Sequence, residues 1–193
     1  MALKKGTEIA TIDVCLVTIT TKGDTPTEIG LKTSNQVGVE PQIETTDPVK
    51  LIIKGQLIAQ KGEENTITGN QITLTDNVFN PELAKILQGG TITMDSEGNF
   101  QSYEPPVVGS SDEGEEFDLA LYSAHYGTDG LIIDYEKTSY PNCKGVPFGV
   151  GAEDGVFHVS TYTINSKPSK GQAPYKIEMV KTLPAVAENT TTT

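Results

Sequence analysis

Tryptophan is absent from these 193 residues, histidine and cysteine occur twice each, and 14 basic side chains face 26 acidic ones. Each shortage excludes something. Paired carboxylates are plentiful, but without Trp there is no indole to stack a sugar ring, which argues against glycoside hydrolysis. Two distant cysteines give no disulfide framework. Cys15 sits in the apolar run Val14-Cys-Leu-Val17 and reads as a small buried hydrophobe, while Cys143 sits in a turn-like Pro-Asn-Cys-Lys-Gly, and a bond between them stays open. His125 and His158 both fall on expected strands, where histidine more often serves structure than a metal, so no metal site is expected. A formal charge of −12 argues against direct nucleic-acid binding, which needs cations to replace phosphate counterions. It argues equally against docking on an anionic membrane leaflet, and it also suits plain solubility.

Longer signals are missing too. No apolar run approaches the length of a membrane span. The opening Met-Ala-Leu-Lys-Lys-Gly-Thr has no apolar h-region, so no signal peptide is expected and the protein is expected to fold in a cytoplasm. Gly-x-Ser-x-Gly, His-Glu-x-x-His, Walker A and Cys-x-x-Cys patterns do not occur. Gly149-Val-Gly151 lacks the third glycine of a dinucleotide fingerprint and has no helix after it. Asn189-Thr-Thr191 matches a glycosylation sequon by chance. No enzyme and no cofactor are expected.

What is present is strand after strand. Residues 9–20, 36–43, 49–60 and 66–75 are rich in Val, Ile and Thr, and 49–60 reads as one strand with a continuous apolar core. Residues 98–116 read as a long loop. Residues 116–126 alternate, with Phe117, Leu119 and Leu121 on one face and Asp118, Ala120 and Tyr122 on the other. Gly127-Thr-Asp-Gly130 turns into a partner strand at 131–139. Residues 141–145 read as a turn, with strands at 145–150, 156–164 and 174–181. The expected fold is mainly β, a β-sandwich or partly closed barrel with one short flanking helix. A single domain spans 1–182, and the low-complexity residues 183–193 are expected to be disordered.

The most informative stretch is Ile72–Met94, which reads strand, helix, double-glycine stop, strand. Asn80 is placed to cap the first turn, and Pro81 gives up no hydrogen bond at the first helical position. Glu82 suits the positive end of the helix dipole. Leu83, Ile86 and Leu87 form an apolar stripe for docking, and Gly89-Gly90 allow a left-handed exit.

The order of parts, with this strand–Asn-Pro-Glu-Leu–helix–Gly-Gly–strand unit at its centre, resembles the major tail tube proteins of long-tailed bacteriophages. The resemblance spans about residues 2–182. It implies a non-catalytic structural subunit that closes into six-membered rings, stacked into a conduit for genome ejection in the virion tail. It implies self-association, other tail proteins as partners (tape measure, tail terminator and distal tail proteins), and phage DNA that passes without specific binding. Six subunits at −12 each give a ring of about −72, and an acidic lumen lets DNA slide. Asp118, Asp134 and Glu136 are candidates for a lumen-facing row, although an ordinary solvated face has the same pattern. The acidic stretch Glu104, Asp112, Glu113, Glu115 and Glu116 is either a solvated loop or an inter-subunit finger. As a finger it would meet Lys4, Lys5, Lys167 or Lys170 of a neighbour. Two other readings share the pattern: a contractile-tail or injection-machine tube, and a monomeric carbohydrate- or receptor-binding β-sandwich using some of the seven tyrosines.

Overall fold

The computed structural model describes residues 8–186 apart from 24, 111–112, 152, 156 and 158. Twelve strands and one helix are described. They are β1 (Thr11–Thr21), β2 (Glu28–Leu31), β3 (Ser34–Thr46), β4 (Val49–Ile53), β5 (Gln56–Lys61), β6 (Glu64–Asp76), α1 (Pro81–Gln88), β7 (Thr91–Met94), β8 (Phe100–Glu104), β9 (Phe117–Tyr126), β10 (Ile132–Gly145), β11 (Ser160–Ser166) and β12 (Lys176–Val180). The fold is mainly β and sandwich-like. Eight strands form one antiparallel sheet in the order β2-β1-β9-β10-β11-β6-β3, with β12 also on β10, and the path does not close into a barrel.

The sheet forks along β10. Tyr135–Ser139 pair with β12, and Cys143–Gly145 pair with β11 on the same edge. Between them the backbone bulges at Asn142, whose φ of 51° suits an Asn better than most residues. Asn142 holds the fork: its amide donates to Asp118 at 2.9 Å, and its side chain donates to the Lys167 carbonyl at 3.2 Å and to Ser169 at 3.1 Å. The expected turn at 141–145 is therefore a bulge inside one long strand.

One core fills the curl of the sheet. Val17 and Ile19 of β1, Phe117 and Leu119 of β9, Ile72 and Leu74 of β6, and Tyr162 and Ile164 of β11 meet there with Leu83, Ile86 and Leu87 of α1. Asn80 accepts from the Leu83 amide at 3.1 Å, and the Gly89 amide returns to the Lys85 carbonyl at 2.8 Å with Gly89 at φ 81°. The last turn is clamped from outside. Tyr103 on β8 donates to the Gly89 carbonyl at 2.7 Å, and the Glu115 amide donates to Ile86 at 2.8 Å. Gly145 passes so close that a methyl group there would strike the Leu87 backbone. A smaller cluster on the opposite sheet face joins Leu16, Ala120 and Tyr122 to Val180, Leu183 and Val186, and Gly30 makes room for Val186. The packed chain thus runs past 182 to Val186, because Leu183 and Val186 have apolar surface to cover. Residues 187–193 lie outside the described part.

Truncating Leu83 to Ala should cost about 2–5 kcal/mol, the usual range for a fully buried leucine. Thermal unfolding should show a fall of roughly 5–15 °C for a domain of this size. A Gly145→Ala variant should also be less stable, although it adds apolar surface, because the helix must move to admit it.

Candidate functional site

The 49–60 run is not one buried strand. Lys54 (φ 49°) and Gly55 (φ 79°) form a two-residue turn that folds it into the β4–β5 hairpin, since positive φ at both central positions is the backbone of a type I′ turn. This hairpin continues outward from the β3–β6 pair, whose last partners are Thr46 and Glu64. Residues 43–68 are exposed without exception. The arm is nevertheless apolar: Ile43, Val49, Leu51, Ile52, Ile53, Leu57, Ile58 and Ile67 are each at least half exposed. Its register puts Val49, Leu51, Ile53 and Ala59 on one face and Ile52 with Leu57 on the other. Both faces therefore present hydrocarbon to water, where soluble monomers rarely leave large contiguous patches.

Other apolar side chains stand at the same end of the sheet. The ladders run the root of the arm and the β9–β10 turn toward one end, where Ile9, Ile12, Leu131, Ile132 and Ile133 are exposed. The sheet also has open ladders. Strands β2 and β3 end the sheet path without joining each other, and unpaired strand edges invite a further strand.

The acidic candidates are scattered differently from the expected row. Between Ile132 and Asp134 the register shifts by one residue, so Asp134 lies opposite His125 and Glu136 opposite Ser123. Both therefore share the face of Leu119 and Leu121. Asp118 is paired with Thr20 and shares the other face with Ala120 and Tyr122. No single row contains all three, because the bulge turns Asp134 and Glu136 over.

Several of these acids have partners within the chain. Lys22 lies 2.9 Å from Asp118 and 3.6 Å from Glu116, and it also bonds the Asn142 side chain. Lys144 meets Glu113 at 3.0 Å. Glu104 is an exposed end of β8, a strand the sequence reading placed in a loop, and the Glu115 side chain is exposed. Lys167 and Lys170 are exposed near the fork. Lys4, Lys5, Asp112 and His158 lie outside the described residues.

Asp134 carries the most built-up charge contact. It accepts from His125 Nδ1 at 2.7 Å, and its second oxygen lies 3.4 Å from Lys181. The His125 hydrogen bond, opposed by desolvation and helped by Lys181, holds its carboxyl below the usual range. Glu178 is likewise held low, first by Lys176 and then by Lys137. Both cysteines are free thiols. Burial pushes Cys143 up to about 12, which leaves too little thiolate for nucleophilic chemistry at neutral pH. On the Asp118 face, a cleft of about 450 Å³ lies among Thr20, Asp118, Tyr122, Lys137, Tyr140 and Tyr175. Among the described residues, no group of three His, Cys, Asp or Glu side chains is arranged to hold a metal, and no helix is long and apolar enough to cross a membrane.

No protein-family model matches the sequence, and no curated protein matches it. Among solved structures, the chain is similar to one from the six-fold symmetrised baseplate of the anti-feeding prophage. The identity is 7% and the TM-score 0.35, over 93% of this chain and 98% of that one. Overlap of that quality does not establish a shared fold or role.

The depressed Asp134 carboxyl sets a direction for acid stability. Its folded pKa lies below the unfolded value near 4, so its contribution is complete above that value and is lost as pH falls through the folded pKa. Urea midpoints followed from pH 6 downward should fall less steeply for Asp134→Asn than for the parent. Parallel profiles would mean that the His125 contact does not persist in solution.

Proposed function

We propose that this chain is a non-catalytic structural subunit of a phage-type tail tube, assembling with copies of itself into stacked, six-membered rings. The observation that carries this reading is the arm. Hydrocarbon on both of its faces needs cover on both sides, and two neighbouring copies supply that more simply than one partner pressed on a single face. The exposed Ile and Leu side chains at the same end of the sheet offer apolar surface for a stacked ring. The free ladders of β2 and β3 suit lateral joining, since ring closure removes open strand edges. The order of elements in the sequence supports the same reading, with other tail proteins at the ends of the tube and the virion tail as its place.

The acidic balance fits a conduit that must not hold DNA. Because Asp118 and the Asp134–Glu136 pair stand on opposite faces, one lumen wall takes either Asp118 or the pair, not both. Asp118 is the better candidate: it is paired with Lys22, but its side chain is 54% exposed, whereas that of Asp134 is 13% exposed and tied to His125 and Lys181.

A second reading, a carbohydrate-binding module, draws on the cleft where Tyr122, Tyr140 and Tyr175 converge beside Asp118 and Lys137. It leaves the arm without a use.

A Leu51→Asp, Leu57→Asp variant places one charge on each face of the arm, at positions already exposed. Its far-ultraviolet circular dichroism and melting temperature should match the parent within about 0.5 kcal/mol of stability. Electron microscopy should show rings or tubes for the parent and dispersed subunits for the variant. A parent that stays dispersed while binding a glycan, or a variant that still forms tubes, would overturn the assembly reading.

A further inference from the structure

Asp76 ends β6 and is fully buried, at 0% exposure. The ladders place it opposite Ser34 of β3 on one side and Ser160 of β11 on the other. Residues paired across a ladder share a face, so oxygen-bearing side chains form a row across three strands. Tyr162, two residues beyond Ser160 on the same face and also fully buried, carries its hydroxyl to this row, beside Ser160 and the backbone of Asn80 and within the field of Asp76. Asp76 Oδ1 accepts from the Val78 amide at 3.3 Å. Among the described residues, Asp76 Oδ2 and Ser34 Oγ have no hydrogen-bond partner, and Tyr162 OH makes no hydrogen bond of good geometry, although Ser160 and the Asn80 backbone stand close enough to act on it. None of the ion pairs among described residues involves Asp76.

We propose that Asp76, Ser34 and Tyr162 bind one monovalent cation of the sodium class. A buried carboxylate is ordinarily paired with a cation or coordinated to one, and among the described residues no cationic side chain pairs with Asp76. The ligand set is all oxygen, which selects a hard ion over the transition metals that favour nitrogen and sulfur. One carboxylate balances one unit of charge. Calcium sites take six to eight oxygens and lean on carboxylates, which this row does not provide. The bound ion joins the ends of β3, β6 and β11 where α1 begins, so its occupancy is read directly in stability. A search of the sequence for His and Cys ligands cannot find such a site, because its members are hydroxyls and one acid from three distant segments.

Thermal unfolding of the full chain in sodium chloride and in choline chloride, at equal ionic strength, tests the assignment. The parent should be more stable in sodium, its melting temperature rising about 3–5 °C per tenfold increase in sodium above its Kd. Asp76→Asn and Ser34→Ala should lose that difference. Equal melting temperatures for the parent in both salts would overturn the proposal and leave water as the occupant. A sodium effect that persists in the variants would overturn it as well, by placing the ion elsewhere. Should Asp76→Asn fail to fold, Ser34→Ala and sodium-23 resonance broadening decide the matter. Broadening by the parent that Ser34→Ala diminishes supports the site, and no broadening by the parent refutes it.

Discussion

The sheet of this protein curls around its apolar side chains but does not close, and an eight-residue helix supplies the missing wall. Leu83, Ile86 and Leu87 enter a core to which β1, β6, β9 and β11 also contribute, so these strands share one interior only while the helix is seated. So short a helix has little stability of its own. Its seating is therefore enforced from outside: Asn80 at the start, the Tyr103 hydroxyl and the Glu115 amide at the end, and the close approach of Gly145 against Leu87. The β7–β8 hairpin brings Tyr103 to the helix terminus.

Polar chemistry follows the same division between fixed body and free surface. Asn142 and Lys22 tie the fork in β10 to Asp118 and Glu116, and Lys144 draws in Glu113. These contacts are mostly exposed, so each adds little stability in water. They fix where the chain after the helix runs, leaving the arm as the large element with no partner among the described residues.

The helix was legible in the sequence because its signals are local: a capping Asn, a following Pro, a stripe at i, i+3 and i+4, and a glycine stop. The mainly β class was legible from composition and punctuation. The arm was misread, because an unbroken run of Val, Leu and Ile looks the same whether it crosses a core or leaves one. Lys54-Gly55 was the available sign of a turn. The row of three acids failed for a different reason. Alternation fixes a face within one strand, but relating two strands needs their register, and the single extra residue near Ile133 reverses it for Asp134 and Glu136. Pro141-Asn-Cys-Lys-Gly has turn composition, yet the positive φ at Asn142 serves a bulge that lets one strand pair with two neighbours on the same edge.

The pairing of β1 with β9 sets a timetable for synthesis. Thr18 meets Ala120, so the first long strand has only the four-residue β2 to pair with until about a hundred more residues have been made. At roughly 5–20 residues per second, that is about 5–20 s during which Leu16, Val17 and Ile19 wait on a growing chain. The β4–β5 hairpin is local and its turn is pre-formed in sequence, so it is complete well before the body that carries it. A nascent chain of this kind shows its stickiest element first and its core last. A cell making it in quantity must keep neighbouring nascent chains apart through that interval.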